Sequence, residues 1–238
     1  MLTLAFESTS PAASAALCRD GELLAQSTWQ SGRSHSTTLL PMAEQLLRAV
    51  GAAVEEIDLF ACAAGPGSFT GVRIGVSTVK GLAFGRRTPC VGVSSLLAMA
   101  YGLRLCDGIV CPLIGARRSQ VYTALFRVRD GAVTRLTEDG ILLLDELSAA
   151  LAPYDEPIRL TGDAAESARP LIRHPYLRGT PPLWRVPGAF AVAEAAEQLW
   201  RAAPDPAVFT PAALAPVYLR KTQAEREREE RLAEGTDA

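Results

Sequence analysis

The chain opens on a short apolar run at residues 2–6, which reads as a buried strand. Residues 13–18 repeat the pattern, and Asp20-Gly21 has the turn chemistry of a hairpin leading into a third strand near 22–29. The period then changes. Leu39, Leu40, Ala43, Leu46, Leu47 and Val50 recur at intervals of three and four, which predicts a helix over 36–50. Ser36 is placed to cap it, Pro41 lies near its start and Gly51 is placed to end it. Next come a strand at 58–63, a glycine-rich loop, a helix to Phe84, a strand at 90–93 and a helix from Ser94 or Ser95 to Leu103. The order β-β-β-α-β-α-β-α predicts an antiparallel hairpin extended by parallel crossover units.

The second half begins in the same way. Residues 109–115 and 120–129 read as strands, and Asp130-Gly131 turns into a third at 132–138. A helix at 145–152, a strand at 157–161 and helices at 164–173 and 189–202 follow, with 174–188 a Pro- and Gly-rich loop. Two halves that both open on strands and a hairpin predict a duplicated fold. Residues 221–238 mix both charges without an apolar face, the pattern of a frayed helix or disorder.

Composition narrows the function. Lys and Arg total 24 against 26 Asp and Glu, a formal charge of −2. A protein that grips RNA alone through its phosphates carries a basic surplus, so any nucleic-acid role is expected to be shared with a partner. The five cysteines are scattered, without a Cys-x-x-Cys pair, and read as reduced core residues of a cytosolic protein. The first apolar run ends at Glu7 with no basic leader, which argues against a signal peptide. No apolar stretch approaches the roughly 20 residues that span a bilayer.

The sharpest local signal is Gly65-Pro66-Gly67-Ser68-Phe69-Thr70-Gly71-Val72-Arg73-Ile74-Gly75. Ser68 or Thr70 is placed to cap the following helix, whose N-terminus would attract phosphate. Its spacing matches neither a Gly-Lys-Ser/Thr phosphate loop nor Gly-x-Gly-x-x-Gly, so a tight strand-to-helix turn and a phosphate cradle both stand. Gly71, Gly75 and Gly81 each cost about 1 kcal/mol relative to Ala in a helix, which implies close approach by another backbone, inside the core or across an interface. Glu7-Ser8-Thr9-Ser10 could orient a magnesium-bound phosphate, or simply be a polar turn. Metal ligation is poorly supported: His35 and His174 are the only histidines, and Cys106 and Cys111 have no histidine pair beside them. His35 is the one base a nucleophile could use, and it reads more simply as a helix-end histidine. Arg73 and Lys80 are the cations nearest the loop, placed to meet an anion or a partner's carboxylate.

Together, Glu7-Ser8-Thr9-Ser10, the run Arg33-Ser34-His35-Ser36-Thr37-Thr38-Leu39-Leu40-Pro41, the Gly65–Gly75 segment with Lys80-Gly81-Leu82-Ala83, and Gly92-Val93-Ser94-Ser95-Leu96 resemble the bacterial TsaB (YeaZ) family. Ala116-Arg117, Val121-Tyr122 and Pro216-Val217-Tyr218-Leu219-Arg220 resemble its later landmarks, so the likeness runs to Arg220. It implies an α/β, two-lobed actin/hexokinase/Hsp70-like (ASKHA) duplicated fold, with mixed sheets flanked by helices. Residues 1–104 would form an N-terminal lobe with partner-docking helices, and 105–220 a C-terminal lobe.

The resemblance also implies a non-catalytic scaffold subunit for threonylcarbamoyl transfer to the adenosine beside the anticodon, in tRNAs reading codons that start with A. Such a subunit binds the catalytic paralogue TsaD and, with it, the ATPase TsaE; it meets tRNA only through the complex, and alone it could be a homodimer or a monomer. ATP or ADP and magnesium would sit at the joint with TsaD and TsaE. TsaD-type proteins carry a His-x-x-x-His metal pair whose positions correspond here to Ser95 and Met99. The family's first-turn Asp is Glu7 here, its Asp-Ala-Arg is Gly115-Ala116-Arg117, and its Glu before Val-Tyr is Gln120. Carried over, the partner interface comprises Leu39, Leu40, Ala43, Leu47, Arg73, Gly75, Val76, Val79 and Lys80. Nucleotide contacts would come from Glu7, Ser8, Thr9, Gly65, Gly67 and Ser68, with no catalytic or metal residue. The alternative is an independent actin/hexokinase-type ATPase or phosphotransferase. A metallopeptidase is disfavoured by the missing histidine pair.

Overall fold

The computed structural model describes residues 1–116 and 119–220. Arg117 of the Gly115-Ala116-Arg117 segment and the charged tail from Lys221 to Ala238 lie outside the described residues. In chain order the elements are β1 (Leu2–Glu7), β2 (Ala13–Arg19), β3 (Glu22–Trp29), α1 (His35–Val50), β4 (Leu59–Gly65), α2 (Phe69–Leu82), β5 (Cys90–Ser94) and α3 (Ser95–Tyr101). They continue with β6 (Gly108–Gly115), β7 (Gln120–Thr123), β8 (Phe126–Arg129), β9 (Ala132–Arg135), β10 (Gly140–Leu143) and α4 (Leu147–Leu151). The last are β11 (Ile158–Thr161), α5 (Ala165–Ala168), β12 (Leu177–Arg178) and α6 (Ala189–Ala202).

The first five strands form one sheet in the order β3-β2-β1-β4-β5. β1 and β2 run antiparallel from Leu2↔Arg19 to Glu7↔Ser14, whereas β4 and β5 add in parallel beyond β1. Alternation sorts the side chains to two faces. Leu4, Phe6, Phe60 and Cys62 point into the core beneath α1 and α2. Ala5, Ala16, Ala61 and Ala63 face Ala189, Ala193 and Ala196 of α6. The small residues on both surfaces let α6 lie close to the sheet, where Thr3 Oγ1 donates to Glu197 at 2.8 Å. Residues 189–202, which follow the second sheet in sequence, therefore pack on the first.

The second sheet has seven strands, ordered β10-β7-β6-β11-β12, with β8 and β9 joined to the other half of β6. The expected strand at 120–129 is two strands. β6 pairs with β8 through Gly108–Val110 and with β7 through Leu113–Gly115. At the break the Leu125 N–H donates to Thr137 Oγ1 and its carbonyl accepts from Leu136 N, so the backbone polar groups stay paired while the strand changes neighbours. Likewise 132–138 ends as a strand at Arg135, and Gly140–Leu143 forms a further strand on β7. The helix expected at 164–173 shortens to α5 and a 3₁₀ turn at Arg169–Leu171, where Pro170 removes an amide donor. Segment 174–188 contains β12 and a 3₁₀ turn at Pro182–Arg185.

α1 starts at His35, one residue before the expected cap: Ser34 is the N-cap residue, makes no side-chain cap bond, and shares a 2.7 Å hydrogen bond with Ser36. Gly51 ends it at φ +73°. α3 joins the lobes, its Leu96, Met99 and Leu103 packing with Val110, Phe126 and Val128. Cys18, Cys62, Cys90 and Cys111 are buried, Cys106 is half-buried and all five are free thiols. No helix among the described residues is long and apolar enough to cross a membrane.

Candidate functional site

β4 ends at Gly65, whose φ of +111° is open to glycine and closed to most side chains. A Cβ there would overlap the Val217 carbonyl oxygen. The chain then passes over the β1–β2 turn. Ser68 N–H donates to the Thr9 carbonyl at 2.8 Å, and a Cβ on Gly67 would lie 2.6 Å from that oxygen. Ser68 is the N-cap of α2, its Oγ accepting from Gly71 N at 3.2 Å.

The helical glycines have an internal reason. A Cβ on Gly71 would overlap the Ser8 carbonyl oxygen, and one on Gly75 would lie 2.7 Å from Ser8 Oγ. Ser8 Oγ in turn donates to the Gly71 carbonyl at 2.9 Å. Of the two explanations for these glycines, the structure supports packing against the first β-turn at 71 and 75. Gly81 has open space around it.

Of the candidate nucleotide contacts, Glu7, Ser8 and Thr9 are buried, Gly65 is buried and Ser68 is exposed. The turn and the glycine loop satisfy each other's polar groups. Glu7 Oε1 accepts from Thr9 N at 2.6 Å and from Thr9 Oγ1 at 2.7 Å, while Oε2 is buried with no partner. Desolvation pushes the Glu7 carboxyl up to about 7, the Thr9 and Ser10 hydrogen bonds only partly opposing it. A carboxylate sealed in this way does not fit a magnesium ion or its ligating waters. His35 Nε2 lies 2.9 Å from the Ser10 carbonyl, so this histidine ties α1 to the turn.

The interface candidates divide. Leu39, Ala43, Val76 and Val79 lie in the core under α1 and α2, and Gly75 is buried against Ser8. Their periodic apolar face packs on the sheet. Leu40 is 46% exposed, Arg73 is exposed, and Leu47 and Lys80 are half-buried. Beside them lie residues that the sequence reading missed. Phe69 stacks on Tyr218 with ring centroids 4.9 Å apart, the Arg73 guanidinium sits 4.3 Å over Phe69, and Arg73 Nε donates to Tyr218 Oη at 3.0 Å. Phe69 was detectable one turn before Arg73. Tyr218 lies across the chain, and only the fold brings it there.

Ser95 and Met99 are buried at the lobe junction. Ser94 caps α3, accepting from Leu97 N at 3.2 Å, and donates to Asp139 Oδ2 at 2.6 Å across that junction. Among the described residues no group of three His, Cys, Asp or Glu is placed to hold a metal ion. Gly115 N–H donates to Asp163 at 2.8 Å, and Gln120 Oε1 accepts from Arg220 at 3.5 Å. A cavity of about 290 Å³ lies between Ser10–Ala12 and Gly162–Asp163, with Pro182, Arg185 and Pro187 also lining it. This is just below the usual range of small-molecule sites.

Two sheet-and-helix lobes, each opened by a β-hairpin sheet, define the actin/hexokinase/Hsp70-like class. The model of a family described as TsaD: tRNA N6-adenosine threonylcarbamoyltransferase matches residues 23–196. The tRNA threonylcarbamoyladenosine biosynthesis protein TsaB of Bacillus subtilis (strain 168) is 33% identical over 162 residues, covering 68% of this chain and 71% of that protein. Its namesake in Escherichia coli (strain K12) is 38% identical over 155 residues, 64% of this chain and 63% of that protein. YeaZ from Pseudomonas aeruginosa superposes with a TM-score of 0.78 at 26% identity, over 92% of this chain and 99% of that one. The chain belongs to the TsaB (YeaZ) family.

Proposed function

We propose that this protein is a non-catalytic scaffold subunit in tRNA threonylcarbamoyladenosine biosynthesis. It binds a TsaD-type transferase and, with it, a TsaE-type ATPase, and so supports threonylcarbamoyl transfer to the adenosine beside the anticodon. Family membership supports the pathway. The observation that carries the scaffold role is the burial of Ser95 and Met99, at the positions of the transferase's metal-binding histidines, in the lobe junction. Neither side chain is a usual ligand for that metal, and neither reaches a cleft. The sealed Glu7 carboxyl points the same way, because a phosphate-handling turn needs its carboxylate open to solvent and charged. Nucleotide and magnesium would be held at the joint with the partners, and tRNA met through the complex.

The test is reconstitution. Threonylcarbamoyladenosine formation by the transferase and the ATPase on unmodified tRNA should depend on adding this protein, and Ser95→Ala should support it as well as wild type does. Calorimetry of the isolated protein with ATP and magnesium should give no heat of binding. Tight binding with turnover would replace this reading by that of an independent ATPase or phosphotransferase.

A further inference from the structure

Charge is unevenly spread along this chain. From Ser167 to Ala193 the sequence holds Arg169, Arg173, His174, Arg178 and Arg185 and no acidic residue, although the net charge is −2. The fold lays this segment along the second sheet, where β12 adds in parallel beside β11 and ends the strand order among the described residues. Arg185 pairs with Glu166. Arg169, Arg173 and Arg178 have no carboxylate within salt-bridge distance among the described residues, nor does Arg159 of β11. Three of these guanidinium groups meet neutral acceptors instead. Arg159 Nη1 donates to the Asp107 carbonyl at 3.3 Å, and Arg169 Nη1 to the Arg178 carbonyl at 3.4 Å. Arg178 Nη1 donates to the Pro175 and Leu177 carbonyls, both at 3.4 Å. The cations are held in place, and their charge is left uncompensated.

Cations on an edge strand can simply keep other strands from pairing with it. That accounts for a charge at the edge but not for the register, in which Arg159 lies directly opposite Arg178. Like charges facing each other across a strand pair are destabilising, and an anion beside them would remove the repulsion. Exposed rings on the same segment indicate which anion. Tyr176, between Arg173 and Arg178, is 36% exposed, and Trp184 is 48% exposed. Guanidinium groups interleaved with open aromatic faces suit RNA, with phosphates on the cations and unpaired bases on the rings. The family's pathway, tRNA threonylcarbamoyladenosine biosynthesis, has such a molecule in it.

We propose that the β12 edge of the second lobe contacts the phosphate backbone of RNA through Arg159, Arg169, Arg173 and Arg178, with Tyr176 as a stacking surface for an unpaired base. Four phosphate contacts bind weakly by themselves, so the edge adds to the grip of a complex, in keeping with the acidic net charge of the chain. The inference gives this subunit a direct share of the tRNA. It rests on the scaffold reading above, and its test separates the two.

Fluorescence anisotropy of a labelled, unmodified tRNA transcript is measured over a range of salt, against the full chain alone and against its complex with the transferase. The variants are the pair Arg173→Gln with Arg178→Gln, Arg178→Lys, Tyr176→Ala, and a control pair, Arg19→Gln with Arg87→Gln, that removes two exposed arginines elsewhere. The first pair should weaken tRNA binding by the complex about tenfold at about 0.1 M salt and make the slope of log K against log salt shallower by about 1–2. Arg178→Lys keeps the charge and should stay within about twofold of wild type. Tyr176→Ala should weaken binding several-fold with the slope unchanged, because stacking releases no counterions. Affinity and slope unchanged in the first pair overturn the proposal, and so does an equal loss in the control pair. Transferase binding weakened by the first pair, with tRNA binding by the isolated chain untouched, would assign the edge to an acidic protein surface and also overturn it. If wild type fails to bind the transferase, the scaffold reading falls, and the isolated chain decides the edge. Low-salt tRNA binding that is lost in the first pair then upholds the contact, and no tRNA binding overturns it. Because Arg173 is exposed, Arg173→Gln alone stays informative should the pair fail to fold.

Discussion

Gly71→Ala pits local propensity against tertiary packing. In an isolated helix the change is favourable by up to about 1 kcal/mol. In the folded chain the new methyl group would overlap the Ser8 carbonyl oxygen, a backbone atom that cannot rotate away. Overpacking of this kind costs about 1–3 kcal/mol. Moving α2 outward to relieve it stretches the buried Ser8 Oγ–Gly71 hydrogen bond, now 2.9 Å, at a further cost of about 1 kcal/mol. The net expectation is destabilisation by about 1–3 kcal/mol, or a melting temperature lowered by about 3–10 °C for a chain of this size. Gly81→Ala is the control: nothing lies within 4 Å of its Cβ, so only the propensity term remains and the variant should match or exceed wild type. Equilibrium urea unfolding of both variants gives the two signs. If Gly71→Ala proves as stable as Gly81→Ala, the close approach of α2 to the first turn is not what requires glycine there.

Two further expectations follow from buried polar groups. Glu7 is held near pKa 7 against an ordinary 4.5, so between those values the folded state keeps a proton that the unfolded chain has lost. Its contribution is therefore fully present below about pH 4.5 and is lost as pH rises through about 7, a loss of about 3 kcal/mol. Glu194, raised to about 7 by desolvation against the Arg104 ion pair, acts in the same direction. Urea midpoints should fall from pH 5 to pH 8, and Glu7→Gln should flatten the decline; a midpoint that climbs over that range would contradict the burial argument. At the lobe junction, Asp139→Ala removes the acceptor of Ser94 and Arg135 and should cost about 2 kcal/mol, with faster amide exchange at Arg135–Asp139 as the local signature.

Much of the first lobe was legible because its elements carry local signals. The apolar runs of β1 and β4, the Asp20-Gly21 turn and the three-and-four spacing of α1 each satisfy one rule within a few residues. The second lobe was harder to read. Nothing between Gln120 and Arg129 announces a break, since the strand changes partners only because β6 is long enough to pair with two neighbours. Periodicity finds the apolar stripe of a helix, and on α1 and α2 that stripe faces the sheet, so Leu39, Ala43, Val76 and Val79 belong to the core.

The sequence by itself determined the duplicated α/β pattern, the glycine loop and the absence of histidines at the positions of Ser95 and Met99. Those properties depend on residue identity and spacing of a few positions. Only the tertiary structure decided that Gly71 and Gly75 make room for Ser8, that Glu7 is sealed, and that Tyr218 comes to rest on Phe69 and Arg73. Each of these joins segments distant in the chain, the last across 145 residues, and such proximity is set by the packing of whole elements.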